Sequence, residues 1–188
     1  MAQKFKGKYR IATARAQWWD YANAGAYFVT ICTRNREHFF GKIENGKMIL
    51  SSIGQIVEEE WIKTPALRPD MQLELGAFIV MPNHFHAVIQ IKNNEYNSID
   101  LRSVGEEAQH NDFNSVHIGL KPQSKNLSSI MRGFKSAVTT RAKKMGHDHF
   151  GWQTRFHDHI IRDQVAYNRI TSYIINNPLN WKKDGFRN

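Results

Sequence analysis

The fold is decided by the stretch Met81-Pro82-Asn83-His84-Phe85-His86-Ala87-Val88-Ile89-Gln90-Ile91. Its proline and asparagine predict a turn, and the apolar run that follows predicts a strand. Side chains two residues apart on a strand share a face, so His84 and His86 project together while Phe85 and Ala87 point to the other side. Two neutral imidazoles on one rigid face are suited to share a metal ion. The alternative is a polar strand face without a metal.

The size and charge of the chain restrict its class. It has 188 residues, a formal net charge of +9 and one cysteine, Cys32. This length predicts a single domain over 1–188 whose core needs no disulfide. The excess of basic residues favours a polyanionic partner. Nucleic acid is favoured over a membrane surface because no long basic amphipathic helix or apolar span is present. Met1 is followed by polar and basic residues, so we expect a cytoplasmic protein.

Three segments differ in composition from the rest. Residues 1–25 interleave basic residues, including Lys8 and Arg10, with aromatic ones. This mixture suits phosphate binding and base stacking, or else an arm whose aromatic rings pack on the domain. Residues 93–121 form a polar acidic insert, in which five acids face one arginine up to position 119, so the remainder of the chain carries +13. Residues 178–188 form a tail.

The rest of the chain predicts alternating strands and helices. We expect a strand at 26–33, a hairpin at 39–50 turning at Asn-Gly, a helix from Ser51 or Ser52 to about Lys63, strands at 71–80 and from His84, a helix from Ser124 or Asn126 to about Lys144, a strand around 156–161, and a helix from Gln164 to about Asn177, capped by Asp163 and closed by Pro178. Two helices on a mostly antiparallel sheet, with a third presenting residues to it, make an α+β sandwich.

The second predicted helix has one strongly basic face. Arg132, Lys135 and Arg141 lie on it, opposite the apolar residues. Such a face is either solvated or in contact with phosphate, and the excess of one sign leads us to predict DNA contacts here.

The last predicted helix supplies what the histidine pair lacks. Tyr173 and Asn177 are four residues apart and therefore share a helical face. If that face turns toward the histidine strand, Asn177 offers a third ligand oxygen and Tyr173 places a phenol beside the ion. Tyrosine attack on a phosphodiester, assisted by the cation, would join a DNA strand to the protein. Tyr167 is the competing nucleophile, but it lies about 240° around the helix from Tyr173 at ~3.6 residues per turn, so both cannot face one site.

The order of these motifs resembles the single-tyrosine transposases of the HUH endonuclease superfamily, and among them the REP-associated tyrosine transposases. The similarity rests on Gly25-Ala26-Tyr27-Phe28-Val29-Thr30, Met81-Pro82-Asn83-His84-Phe85-His86, Trp152-Gln153-x-Arg155-Phe156-His157-Asp158-His159-Ile160-Ile161-Arg162 and Tyr173-Ile174-x-x-Asn177-Pro178. It spans nearly the whole chain apart from the insert and the tail.

The resemblance implies a ferredoxin-like fold and a specific chemistry. His84, His86 and Asn177 would hold Mg²⁺ or Mn²⁺, and Tyr173 would attack single-stranded DNA to leave a 5′-phosphotyrosine link and a free 3′-hydroxyl. Related insertion-sequence enzymes carry Gln at the third ligand position, so Asn177 places this chain nearer the REP-associated branch. The predicted activity is DNA transposition by a monomer or homodimer acting on single-stranded or hairpin DNA.

The motif at 152–162 adds further candidates. Its position would bring His159 and Asp158 near the site, with His159 transferring a proton or contacting phosphate, or else satisfied by Asp158 as a structural histidine. Arg155 and Arg162 are predicted to bind phosphates.

Two other functions are compatible with the sequence. One is a protein of the same fold that binds hairpin DNA without cutting it. The other is a zinc-dependent hydrolase in which water attacks, although zinc sites favour His, Cys or a carboxylate where this chain has Asn177.

Overall fold

A computed structural model describes Ala16, residues 18–97 and residues 124–187. Lys8, Arg10 and most of segments 1–25 and 93–121 lie outside the described residues. The elements are β1 (Gly25–Cys32), β2 (Gly41–Glu44), β3 (Lys47–Leu50), α1 (Ser52–Lys63), β4 (Leu73–Met81), β5 (His84–Ile91), α2 (Leu127–Lys144), β6 (His157–Ile161) and α3 (Gln164–Asn176). Short 3-10 helices lie at Arg34–Arg36, Pro69–Met71 and Pro178–Lys183.

Four strands form the main sheet in the order β4-β5-β1-β6, and every neighbouring pair is antiparallel. The helix α1 lies between β1 and β4 in the chain, and α2 lies between β5 and β6. This β-α-β-β-α-β arrangement is ferredoxin-like. The predicted α+β class is confirmed, and the histidine strand β5 is an internal strand.

The sheet has a different layer on each face. One face carries the larger core, in which Val29 and Phe85 of the sheet pack with Trp61 of α1 and Phe134 of α2. The other face carries a smaller cluster that joins Val88 and Ile161 to Ile170 and Ile174 of α3. Because side chains alternate along β5, this second face also receives His84 and His86.

Side-chain caps fix where the helices begin. Ser51 Oγ accepts a hydrogen bond from the Gly54 amide at 3.1 Å, so of the two predicted serines Ser51 is the cap of α1. Asn126 and Ser129 cap each other at the start of α2. Asp163 caps α3 as predicted. Each cap satisfies amides that the first helical turn leaves without a partner.

Two turns follow from the sequence and one boundary does not. Asn45 and Gly46 have φ of 49° and 74°, as the predicted two-residue hairpin turn requires. Met81 pairs with His84, so Pro82 and Asn83 form the predicted turn between β4 and β5. The strand predicted at 71–80 begins instead at Leu73, because the preceding residues form a 3-10 helix.

The tail is part of the folded structure. Helical structure continues past the end of α3, because a 3-10 helix over Pro178–Lys183 follows it directly. Proline is tolerated at the first position of a helix, where its missing N–H has no partner to lose. Trp181 is buried, and the carbonyl of Phe186 accepts a hydrogen bond from Asn83 Nδ2 at 2.7 Å. The tail therefore packs on the β4–β5 turn.

The described helices include none with both the length and the apolar character needed to cross a membrane.

Candidate active site

The histidine pair is the centre of the site. His84 and His86 lie on the α3 face of β5, both fully buried, with ring centroids 4.5 Å apart. Burial lowers the pKa of each imidazole to about 3, and for His84 the positive charges of Arg36 and His38 contribute further. The pKa of His86 is lowered further by His84, an effect that Asp184 partly offsets. Both rings are therefore neutral at physiological pH, which is the form that binds metal ions.

The helix α3 brings Tyr173 to this pair. Its hydroxyl lies 3.3 Å from His86 Nε2, and the two rings are 5.3 Å apart. Burial raises the pKa of the phenol, and the negative charge of Asp184 raises it further, whereas a hydrogen bond with the Asn177 side chain lowers it. Tyr173 is still 44% exposed, so a substrate can approach it. The residue has both a position beside the imidazoles and access to solvent.

Asn177 lies at the end of the same helix. It caps α3, is 2% exposed, and interacts with the Tyr173 phenol through its side chain. Its Oδ1 is buried and has no hydrogen-bond partner among the described residues. The structure thus places Tyr173 against both His86 and Asn177, and His86 beside His84.

The tail adds a residue that the sequence interpretation missed. Asp184 places its carboxylate Oδ2 3.7 Å from His84 Nε2, with the side chain almost fully buried. Its other oxygen, Oδ1, accepts a hydrogen bond from the Phe186 amide at 2.7 Å. The aromatic residues around it, Trp181 and Phe186, were the available signal that the tail folds back onto the domain.

The site residues include three buried acceptor atoms. His84 Nε2, Asn177 Oδ1 and Asp184 Oδ2 are all buried and have no hydrogen-bond partner in the part of the chain that the structure describes. Ligand atoms of His84, His86 and Asp184 lie within 4.8 Å of one another. Because these imidazoles are neutral, the contact between His84 and Asp184 is not an ion pair. Buried acceptors without donors are unfavourable, and a divalent cation bound among His84, His86 and Asp184 would satisfy the acceptors that ligate it. The residues present fit a metal ion.

Phe186 covers the histidine pair from the tail side. Its ring centroid lies 5.1 Å from that of His84 and 5.6 Å from that of His86. The ring of Phe28 on β1 is also close, with its centroid 5.3 Å from that of His86 and 6.2 Å from that of Tyr173. The imidazoles therefore lie in an aromatic enclosure, which explains their burial.

No family model matches the sequence. A protein of Haemophilus influenzae (strain KW20/Rd), described as uncharacterized, is 34% identical over 170 residues, which cover 90% of this chain and 89% of that protein. The chain belongs to the same family as that protein.

A solved structure shows the fold. The REP-associated tyrosine transposase bound to a REP hairpin superposes with a TM-score of 0.56 and 22% identity, covering 94% of this chain and 76% of that one. The chain has the fold of that transposase. The predicted family resemblance is thereby confirmed at the level of the fold.

Within this transposase-like fold, the histidine motif of β6 is divided between the two faces of the sheet. His159 pairs with Phe28 and shares the sheet face of His84 and His86, but β1 separates it from β5. Asp158 pairs with Val29, so its side chain points to the opposite face. The structure does not bring Asp158 to these two histidines.

The basic residues predicted to bind DNA are divided between the two sides of the sheet. Arg162 is exposed next to α3, with its guanidinium 5.2 Å from the centroid of the Trp18 ring, and Arg155 is exposed before β6. Lys135, Arg132 and Arg141 lie on α2, in the layer on the other side of the sheet. The structure does not bring these three to the candidate metal site of His84, His86 and Asp184.

Arg141 and Lys135 of α2 contact neighbouring protein groups. Arg141 forms ion pairs with Glu59 and Glu60, both at 2.7 Å. Lys135 Nζ donates to the carbonyl of Gln153 at 2.6 Å, and burial lowers its pKa. These contacts hold α2 to its neighbours and reduce the capacity of both side chains to bind phosphate.

The competing tyrosine faces elsewhere. Tyr167 packs with the smaller core cluster, and its hydroxyl lies so near Gly76 that a side chain there would collide with it. Tyr167 and Tyr173 therefore do not face one site, as their separation around the helix predicts.

Proposed function

We propose that the chain is a metal-dependent single-stranded DNA endonuclease and strand transferase, which cleaves hairpin-forming DNA through a 5′-phosphotyrosine intermediate. The observation that carries the proposal is the contact of 3.3 Å between the Tyr173 hydroxyl and His86 Nε2, within the cluster of buried acceptors. A phenol beside a candidate metal site, on a transposase-like fold, is the arrangement that nucleophilic attack on a phosphodiester needs.

Four residues would hold the cation: His84, His86, Asp184 and Asn177. Together they offer two imidazole nitrogens and two oxygens. Mg²⁺ prefers oxygen ligands alone, whereas Mn²⁺ accepts a mixture of nitrogen and oxygen, so between the two predicted ions this set favours Mn²⁺. When bound, the cation supplies positive charge that makes the target phosphate more electrophilic and offsets the Asp184 carboxylate near the phenol.

Tyr173 performs the covalent step. Its hydroxyl oxygen forms a bond to phosphorus, the bond between phosphorus and the 3′-oxygen breaks, the phenol loses its proton and the 3′-oxygen gains one. The products are a 5′-phosphotyrosine and a free 3′-hydroxyl. Attack of a 3′-hydroxyl on the phosphotyrosine reverses the step and joins two strands. Asn177 holds the phenol through its side chain, which limits the orientations available to the nucleophile.

Nucleic acid is the partner that the charge and the fold favour. The net charge is +9, and the transposase of similar fold was solved with a REP hairpin. Arg162 beside Trp18 combines a cation with an exposed aromatic ring, which suits a phosphate and a stacked base. We propose hairpin DNA as the substrate and Arg162 and Arg155 as phosphate contacts.

One observation favours a second candidate function. Asp184 gives the cluster a carboxylate, and two histidines with one carboxylate are a ligand set of zinc hydrolases. Such a zinc site would use the Asp184 carboxylate, and not Asn177, as its third ligand. In that case a water would attack and Tyr173 would be dispensable.

The test is incubation of the protein with end-labelled single-stranded hairpin DNA and Mn²⁺, followed by a denaturing gel. Wild type and Tyr167→Phe should give a covalent adduct and Tyr173→Phe none, since Tyr167 lies on the same helix but faces elsewhere. Cleavage that survives in Tyr173→Phe supports the hydrolase. Hairpin binding without any cleavage by the wild type supports a binding protein.

A further inference from the structure

The Nδ1 atoms of both imidazoles are hydrogen-bonded to neighbouring side chains. His84 Nδ1 lies 2.8 Å from Asn83 Oδ1, and His86 Nδ1 lies 2.7 Å from Thr30 Oγ1. Asn83 and Thr30 are both buried. The other nitrogens, the Nε2 atoms, face Asp184 at 3.7 Å and Tyr173 at 3.3 Å. Each ring thus has one nitrogen bound to a neighbour and one turned into the site.

The orientation of the Asn83 amide settles which nitrogen of His84 carries the proton. Asn83 Nδ2 lies 3.1 Å from the Arg36 carbonyl and 2.7 Å from the Phe186 carbonyl, and only an NH₂ group can donate to both. Asn83 Oδ1 is therefore the atom next to His84, and it can only accept. His84 Nδ1 must donate to it, so the lone pair of the neutral ring is on Nε2.

We propose that Asn83 and Thr30 are positioning residues that hold Nδ1–H of His84 and of His86, so that both Nε2 lone pairs point to the cation site. The inference rests on the metal site of the proposed function and adds two residues that do not touch the ion. A histidine ligand whose second nitrogen donates a hydrogen bond is fixed in tautomer and ring orientation and is a stronger ligand.

Asn83 has a second effect through the tail. The Phe186 carbonyl accepts from Asn83 Nδ2, and the Phe186 amide donates to Asp184 Oδ1 at 2.7 Å. One peptide segment therefore links the asparagine to the carboxylate and leaves Asp184 Oδ2 facing His84. Asn83 positions two ligands, His84 and Asp184, whereas Thr30 positions only His86.

The first test reads the tautomers directly in metal-free protein. A long-range ¹H–¹⁵N spectrum distinguishes protonated from unprotonated ring nitrogens. We expect Nδ1 to be protonated in both His84 and His86. In Thr30→Val, which keeps the shape of the side chain without the hydroxyl, His86 should lose this preference while His84 keeps it. Thr30→Ser should restore the wild-type pattern. Protonation of His86 at Nε2 in the wild type would overturn the assignment for Thr30.

The second test measures Mn²⁺ affinity by calorimetry, with circular dichroism as the check on folding. Thr30→Val should lower the affinity by about 10-fold and Thr30→Ser should recover most of it. Asn83→Ala should lower it further, by about 100-fold, because two ligands lose their support. An unchanged affinity in Thr30→Val overturns the role of Thr30.

Coupling to Asp184 tests the second effect of Asn83. In an Asp184→Asn background, Asn83→Ala should cause a smaller loss of affinity than in the wild type, because one of the two ligands it supports is already weakened. Thr30→Val is the matched control and should cause the same loss in both backgrounds. Equal losses from Asn83→Ala in both would overturn its link to the tail.

Failure of this inference differs from failure of the proposed function. A wild type that binds no Mn²⁺ contradicts the metal site, and the tautomer spectrum still decides the roles of Asn83 and Thr30. If Asn83→Ala does not fold, the wild-type spectrum decides the role of Asn83 on its own, since a His84 ring protonated at Nε2 overturns it.

Discussion

Asp184 Oδ2 lies 3.7 Å from His84 Nε2, and neither atom has a hydrogen-bond partner among the described residues. A residue of the tail thus joins two histidines of an internal strand in a group that could hold a metal ion. Two buried acceptors that face each other without a donor are unfavourable, and a cation bound between their lone pairs would remove that cost. The tail is accordingly a component of the site as well as of the fold.

The first prediction concerns this carboxylate. Asp184→Asn should lower Mn²⁺ affinity by at least about 10-fold, because it removes a charged ligand while keeping the size of the side chain. The wild type should gain thermal stability on Mn²⁺ addition, by about 2.7 kcal/mol at a concentration 100 times Kd, and Asp184→Asn should gain less. Asp148→Asn, an exposed acid elsewhere, is the control. Equal Mn²⁺ affinity in the two variants would exclude Asp184 as a ligand.

The second prediction concerns pH. Burial lowers the pKa of His84 and His86 from about 6.5 to about 3. Between these values the unfolded chain binds more protons than the folded one, so stability falls as pH falls below about 6.5 and is fully present above it. Each imidazole contributes a slope of up to about 1.4 kcal/mol per pH unit.

Urea unfolding of metal-free protein between pH 5 and 8 measures this slope. His84→Gln should reduce the dependence on pH, since it leaves one buried imidazole instead of two. A variant whose stability depends on pH as steeply as that of the wild type would show that His84 is not held neutral by burial.

The third prediction separates the basic surfaces. Arg162→Gln should weaken binding to hairpin DNA and reduce the slope of log affinity against log salt by about 0.7, the effect of one lost phosphate contact on a single strand. Arg141→Gln is the matched control, because Arg141 is paired with Glu59 and Glu60 on the far side of the sheet. Fluorescence anisotropy at several salt concentrations gives both slopes. A larger effect in Arg141→Gln would place the DNA on α2.

Much of the site could be predicted from local spacing. The alternation of β5 places His84 and His86 on one face, and the four-residue spacing of α3 places Tyr173 and Asn177 together. Both rules depend on the backbone of a single element, and the structure agrees with both. The separation of Tyr173 from Tyr167 around the helix follows from the same geometry.

The features that could not be predicted depend on contacts between segments that are distant in sequence. Asp184 lies in a tail without periodicity, and its role arises only where the chain packs back on the β4–β5 turn. The ion pairs of Arg141 require α1 and α2 to be neighbours, which a basic helical face alone cannot indicate. Likewise, Asp158 sits in a recognisable motif, but its side of the sheet is set by its register with Val29.

The most direct measurement of the central claim is peptide mapping of the covalent DNA adduct by mass spectrometry. After reaction with hairpin DNA and Mn²⁺, the nucleotide should be found on the peptide that contains Tyr173, linked through a 5′-phosphate, and His86→Ala should form no adduct. A nucleotide on Tyr167 or on any other residue, or an adduct that persists in His86→Ala, would contradict the account.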